Sequence, residues 1–216
     1  MIGLFGGTFD PVHQGHIQLA LSVQQALALS EVRWIPLCSA VHKRQPIASP
    51  AQRLAMLQLA IRDYPAFWVE DIELQRGGAS YTVDTLVAMR QHWPHHTLCW
   101  LAGTDAMARF STWKAPQRLL QLAHIIVVQR VGYTLDLPDW LAGHGCDSAA
   151  ALHQQSAGLI YQHRLAPAAV SSTTVRQGLM QGQDIAAMLP QSVLNFIQQQ
   201  GLYKPESIWA PQKLLR

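Results

Sequence analysis

Charge is scarce in this chain: Asp, Glu, Lys and Arg supply 13% of 216 residues, too few for a polyelectrolyte tail or an extended lattice of surface ion pairs. Cysteine is scarcer. Cys38, Cys99 and Cys146 are far apart, odd in number and without a CxxC pair, which excludes a disulfide framework and a zinc knuckle and suits a reducing cytoplasm. No apolar run approaches the roughly 20 residues needed to span a bilayer, and Met1-Ile2-Gly3-Leu4-Phe5 lacks the basic region of an export signal. A soluble, cytoplasmic protein with no membrane partner is expected. Repeats and low-complexity tracts are also missing, and neither Gly nor Pro gathers into a linker.

What is present is apolar: 49% of the residues, enough to bury a substantial core and to leave no segment disordered by composition. A single domain over 1–216 is the expectation, with a C-terminal helical portion over about 171–203. Lys and Arg number 16 against 13 Asp and Glu, a small positive excess that fits an anionic partner. The basic residues are scattered, however, so a phosphorylated small molecule is favoured over nucleic acid.

Apolar runs of strand length alternate with stretches of helical period, the pattern of βαβ units around a parallel sheet. Strands are predicted at Ile2 to Phe5, Val32 to Leu37, Phe67 to Val69, Leu98 to Ala102 and Ile125 to Gln129. The intervening helices run from about Gly15 to Leu29, from Ser49-Pro50 through Ile61, and from Tyr81-Thr82 to before Pro94. On the first, His16, Leu19, Ala20 and Val23 share a face, which puts His16 in phase with the buried stripe. Residues 132–158 read as a loop carrying a short helix. Two more helices follow, one after Ser171-Ser172-Thr173-Thr174 and one from about Pro190 to Gln200, stopped by Gly201. The implied fold is an α/β, Rossmann-like doubly wound sheet of mainly parallel strands, with helices on both faces and a small C-terminal helical part.

The first strand runs into Gly6-Gly7-Thr8-Phe9-Asp10-Pro11-Val12-His13-Gln14-Gly15-His16 and then directly into a helix. The GxGxxG of a dinucleotide fingerprint is missing from this turn. Two glycines permit close backbone approach, Thr8 offers a hydroxyl, and the helix start presents unpaired N–H groups to an anion. His13 and His16 flank Gly15 so that two imidazoles converge on one point, where donors would stabilise the charge gathering on a phosphorus in transfer. Each piece has an ordinary explanation, a core histidine or a plain turn; strand, Gly-Gly-Thr, HxGH and helix in unbroken succession do not. Farther on, the hydroxyls of 171–174 and Arg176 one turn later make a second candidate anion site, weak by itself because Ser and Thr are ordinary helix caps.

Together these segments resemble the paired HxGH and ISSTxxR signatures of the nucleotidyltransferase superfamily. Ile35-Pro36, His42-Lys43, Ser80-Tyr81-Thr82, Asp84-Thr85-Leu86, Gly103-Thr104-Asp105, Thr112-Trp113, Arg130 and Gly201-Leu202-Tyr203 follow in an order similar to that of bacterial nicotinate-nucleotide adenylyltransferases. The resemblance covers Ile2 to Tyr203. It departs from the family pattern at Ala40-Val41, at Lys114 and at Arg130-Val131-Gly132.

The resemblance implies transfer of AMP from ATP to nicotinate mononucleotide, with Mg²⁺ carried mainly by the phosphates. It assigns His13, His16 and Arg176 to catalysis, and Gly6, Gly7, Thr8, Phe9, Gly15, Gly103, Asp105, Ser172 and Thr173 to ATP. It assigns His42, Lys43, Thr82, Trp113, Lys114 and Arg130 to the acceptor, with Trp113 stacked on the pyridine ring and Thr82 near its carboxylate. No protein metal ligands are implied. The competing readings are an adenylyltransferase for nicotinamide mononucleotide or phosphopantetheine, a non-catalytic nucleotide-binding module of the same fold, and a basic nucleic-acid-binding domain.

Overall fold

The computed structural model describes residues 1–40, 45–130, 139–165 and 170–204. Seven strands form one sheet: β1 (Ile2–Gly7), β2 (Glu31–Pro36), β3 (Phe67–Val69), β4 (Leu98–Gly103), β5 (His124–Arg130), β6 (Gly145–Cys146) and β7 (Ile160–Leu165). Their order is β3-β2-β1-β4-β5-β7-β6, and every adjacent pair is parallel. The helices are α1 (Gln14–Ala26), α2 (Pro50–Ile61), α3 (Ile72–Arg76), α4 (Thr82–His92), α5 (Thr104–Met107), α6 (Pro116–Leu122), α7 (Ser172–Met180) and α8 (Gln191–Gln200).

Strand side chains alternate between two cores, as a doubly wound sheet requires. Phe5, Trp34, Leu101, Ile126 and Val128 point to the face covered by α1, α2, α7 and α8. Leu4, Ile35, Trp100, Ile125 and Val127 point to the opposite face, under α4 and α6. The chain winds outward from β1 in both directions, so the sheet order reverses between β1 and β4. Crevices at such a reversal, at the carboxyl ends of the strands, are where this architecture binds ligands. The loop after β1 and the turn after β4 both open there.

Two strands, β6 and β7, were absent from the sequence expectation. In β7, Tyr161, His163 and Leu165 face α1 while Gln162 and Arg164 are exposed, a true two-residue alternation whose apolar side contains a histidine. His163 is tolerated there because its Nε2 lies 2.8 Å from Ser22 Oγ on α1. Residues 139–158 hold two 3₁₀ turns, Asp139–His144 and Ala149–His153, around β6.

The buried stripe of α1 also differs from expectation. It consists of Gly15, Ile17, Ala20 and Val23, and His16 is half-buried at its edge. The helix stops at Ala26, and Ala28 turns left-handed at φ 48° to bring Leu29 back into the core. Ser49 caps α2 as expected: its hydroxyl accepts the Gln52 N–H, the Gln52 side chain accepts the Ser49 N–H, and Pro50 takes the first helical position.

Candidate active site

At the carboxyl end of β1 the two glycines serve packing more than openness. A Cβ on Gly6 would lie 2.5 Å from the Trp100 ring, and one on Gly7 would lie 2.7 Å from the Phe9 ring. Phe9 folds back at φ 50° and is buried between Phe5, Trp34 and His16, so its ring belongs to the core and only its backbone borders the loop. Glycine is thus required at both positions by the aromatic rings that fill the space of a Cβ.

The loop delivers His13 and His16 to one place. Their rings stack at 3.7 Å between centroids, with His13 buried and His16 the more open of the two. His13 is the N-cap of α1, and its backbone N–H donates to His16 Nδ1 at 3.3 Å. With Nδ1 accepting, a neutral His16 carries its proton on Nε2, which orients the ring as a hydrogen-bond donor. The first N–H groups of α1, at Gln14 and Gly15, precede the first intrahelical bond, from His16 to His13 O.

The C-terminal motif is fastened to the same loop. Ser171 caps α7 by accepting the Thr174 N–H at 3.1 Å, and Ser172 Oγ donates to the Pro11 carbonyl at 3.0 Å. Arg176 donates to the Asp10 carbonyl at 2.6 Å and to Thr173 Oγ1 at 3.4 Å, and its guanidinium is 3.9 Å from the Asp10 carboxylate. The N-termini of α1 and α7 therefore open beside one another, with Arg176 between the loop and the Ser/Thr turn. Four residues implied for one anion site, His13, His16, Ser172 and Arg176, are brought together.

Two buried charges that the sequence reading passed over hold this loop in place. Asp10 accepts N–H bonds from Ile47 and Ala48 at 2.8 and 3.0 Å and the Tyr203 hydroxyl at 2.7 Å. Burial, reinforced by Asp10, pushes the Tyr203 hydroxyl above its ordinary range, so Tyr203 stays a neutral donor. Arg53, fully buried, donates to the carbonyls of Thr8 at 2.9 Å and Leu37 at 2.7 Å and so ties the end of β1 to the end of β2. Burial pushes its pKa down and Asp10 opposes that shift. A signal for Arg53 existed: it lies in phase with Met56, Leu57 and Ala60 on the buried side of α2, where an unpaired arginine would be very costly.

Of the residues expected to hold the acceptor, Thr82, Trp113 and Lys114 lie near the ends of β2 and β4. Ser80 Oγ accepts the Cys38 N–H at 2.9 Å and Ser80 N–H donates to the Ser39 carbonyl, placing the start of α4 next to the end of β2. Thr82 is the first residue of α4, whose N-cap, Tyr81, makes no side-chain cap bond. Trp113 is half-buried, its ring 5.4 Å from that of Phe110, and its backbone N–H is committed to the Phe110 carbonyl at 3.0 Å. Lys114 pairs with Asp84 at 2.9 Å and lies 4.6 Å over the Tyr81 ring, linking the Trp113 turn to α4. Gly103 ends β4 exposed, with open space where a Cβ would stand, and Asp105 is exposed in the first turn of α5. Arg130 is the last residue of β5, while His42 and Lys43 lie outside the described residues.

The loop after β1, the α7 motif fastened to it and a sheet whose order reverses between β1 and β4 together make the candidate site. The model of the cytidylyltransferase-like family matches residues 4–178. The chain belongs to this family. Among its relatives, a protein of Aeromonas salmonicida named probable nicotinate-nucleotide adenylyltransferase is 44% identical over 209 residues, 95% of this chain and 98% of the relative. One of Methylococcus capsulatus with the same name is 38% identical over 94% of this chain and 99% of its own length. The chain also shares the fold of the Plasmodium falciparum nicotinic acid mononucleotide adenylyltransferase. The form complexed with NaAD superposes with a TM-score of 0.72 at 17% identity, covering 94% of this chain and 96% of that one. The form complexed with APC gives 0.69 at 16% identity, covering the same shares.

Proposed function

We propose that the chain transfers AMP from ATP to the 5′-phosphate of nicotinate mononucleotide, forming deamido-NAD and releasing pyrophosphate. Near-full-length relatives of that name support this reading. The observation that carries it at the site is the convergence of the stacked His13–His16 pair with Arg176 around one loop.

The acceptor phosphate is already ionised near neutral pH, so no strong protein base is needed. Catalysis rests on alignment of the attacking oxygen with the α-phosphorus and on donors that meet the growing charge. His16 Nε2–H, with His13 behind it and the open N–H groups of α1 beside it, is assigned to the transferring phosphoryl group. Arg176 and the Ser172-Thr173 turn are assigned to the triphosphate from the α7 side. Gly103 and Asp105 are assigned to the adenosine, Trp113 to the pyridine face and the start of α4 at Thr82 to its carboxylate; with the Trp113 backbone N–H committed to Phe110, the carboxylate is left to α4.

Mg²⁺ is proposed to enter on the triphosphate, held by phosphate oxygens and water. The acidic residue of the loop does not fit a metal-ligand role: the Asp10 carboxylate is taken up by Ile47, Ala48 and Tyr203. When bound, the ion neutralises charge on the leaving pyrophosphate.

Pyrophosphate release from ATP and Mg²⁺ tests the assignment, with nicotinate mononucleotide, nicotinamide mononucleotide and phosphopantetheine supplied in turn. The highest kcat/KM is expected for nicotinate mononucleotide. A higher value for either rival would reassign the acceptor, and no release with any of the three would remove the enzymatic reading.

A further inference from the structure

We propose that Tyr203, near the C-terminal end of the described chain, is a positioning residue for phosphoryl transfer, acting through Asp10 on Arg176. The inference rests on the assignment of Arg176 to the triphosphate. After α8 the chain turns at Gly201 and again at Tyr203, with φ values of 61° and 60°. A left-handed conformation is ordinary for glycine and unfavourable for tyrosine. Packing requires only that the ring be buried, and it is, without any exposed surface. The hydroxyl does more. It donates to Asp10 Oδ1 at 2.7 Å, across 193 residues of sequence.

Asp10 passes this constraint on. Its carboxylate also holds the Ile47 and Ala48 N–H groups, its Oδ2 lies 3.9 Å from the Arg176 guanidinium, and its own carbonyl accepts the Arg176 N–H at 2.6 Å. A peptide unit whose side chain is fixed by three donors cannot rotate to follow a mobile arginine, so Arg176 is aimed before substrate arrives. Without the hydroxyl, Asp10 Oδ1 keeps only the Ala48 N–H, and both Asp10 and the guanidinium it orients gain freedom. Preorganised donors lose catalytic value when they must be ordered during the reaction.

A double-mutant cycle separates this from simple packing. Tyr203→Phe keeps the ring and removes one donor. In the otherwise natural chain it is expected to lower kcat/KM for ATP about tenfold, the scale of one hydrogen bond to a charged group, at a temperature well below melting. In an Arg176→Ala background the same change is expected to cost less than about twofold. Equal losses in both backgrounds, or no loss in the first, would overturn the proposal. Asp10→Asn, which keeps an oxygen for Tyr203 and removes the charge facing Arg176, provides a second cycle with the same expected non-additivity. Arg176→Ala alone with normal kcat/KM would instead remove the role of Arg176, a distinguishable failure.

Discussion

His16 illustrates how a side chain acquires a task from its backbone. The Nδ1 atom is occupied by the His13 N–H, which leaves Nε2 as donor, and the stack with His13 fixes the ring plane. His16→Ala is expected to lower kcat by about two to three orders of magnitude, the cost of one transition-state donor, with the circular dichroism spectrum unchanged at a temperature well below melting. A folded variant with near-natural turnover would remove His16 from the mechanism. The HxGH spacing made both histidines legible from sequence, because a motif records what touches a ligand. Asp10 and Tyr203 were quoted only as members of a motif, because a pair separated by 193 residues has no local signal. Arg53 had one, a charge on the buried face of α2, and its partners at Thr8 and Leu37 could not be inferred without the sheet order.

At the scale of elements, the alternation of apolar runs with helical periods located β1 to β5, α1, α2, α4, α7 and α8 to within a few residues, because each carries a dense apolar face or a capping signal. β7 was missed because His163 occupies one of its inward positions and two polar residues occupy the outward ones. The close passage of β1 against β4 gives the next prediction. Gly6→Ala would push a methyl into the Trp100 ring, and with both residues in the sheet the strain has little outlet. Destabilisation of about 1–3 kcal/mol is expected, read as a lower denaturant midpoint with an unchanged slope. A midpoint equal to that of the natural chain would show that Trp100 yields freely. The cap of α7 offers a milder case: Ser171→Ala removes the bond to Thr174 N–H and should cost about 1 kcal/mol, measured in the same way.

Over the whole molecule, two buried histidines set how stability responds to acid. His124 is fully buried, accepts the Leu159 N–H at Nδ1 and donates from Nε2 to the Gln155 carbonyl, so both nitrogens are used by the neutral ring. Burial pushes its pKa below the ordinary 6.5, and burial does the same to His163. The unfolded chain therefore takes up protons below pH 6.5 that the folded chain refuses, so stability is full above that value and is lost as pH falls through the lowered folded pKa values. Thermal melts should be flat from pH 8 to 7 and fall progressively from about 6.5 toward 5. An unchanged melting temperature over that window would contradict the neutral assignment of both rings.

The same whole-molecule frame joins the two half-sites. Arg53 spans the ends of β1 and β2, and Ser80 spans the end of β2 and the start of α4, so the loop after β1, proposed to hold phosphate, and the start of α4, proposed to meet the acceptor, share one set of bonds. Such a frame suits a reaction in which two bound nucleotides must meet in line. On the proposed mechanism the adenylyl group, with its α-phosphorus, moves directly from one to the other. It is tested by following ATP labelled at the α-phosphorus in the presence of Mg²⁺ and nicotinate mononucleotide. All transferred label is expected in deamido-NAD, with one pyrophosphate released per dinucleotide; label retained on the protein, or recovered only as AMP, would contradict direct transfer.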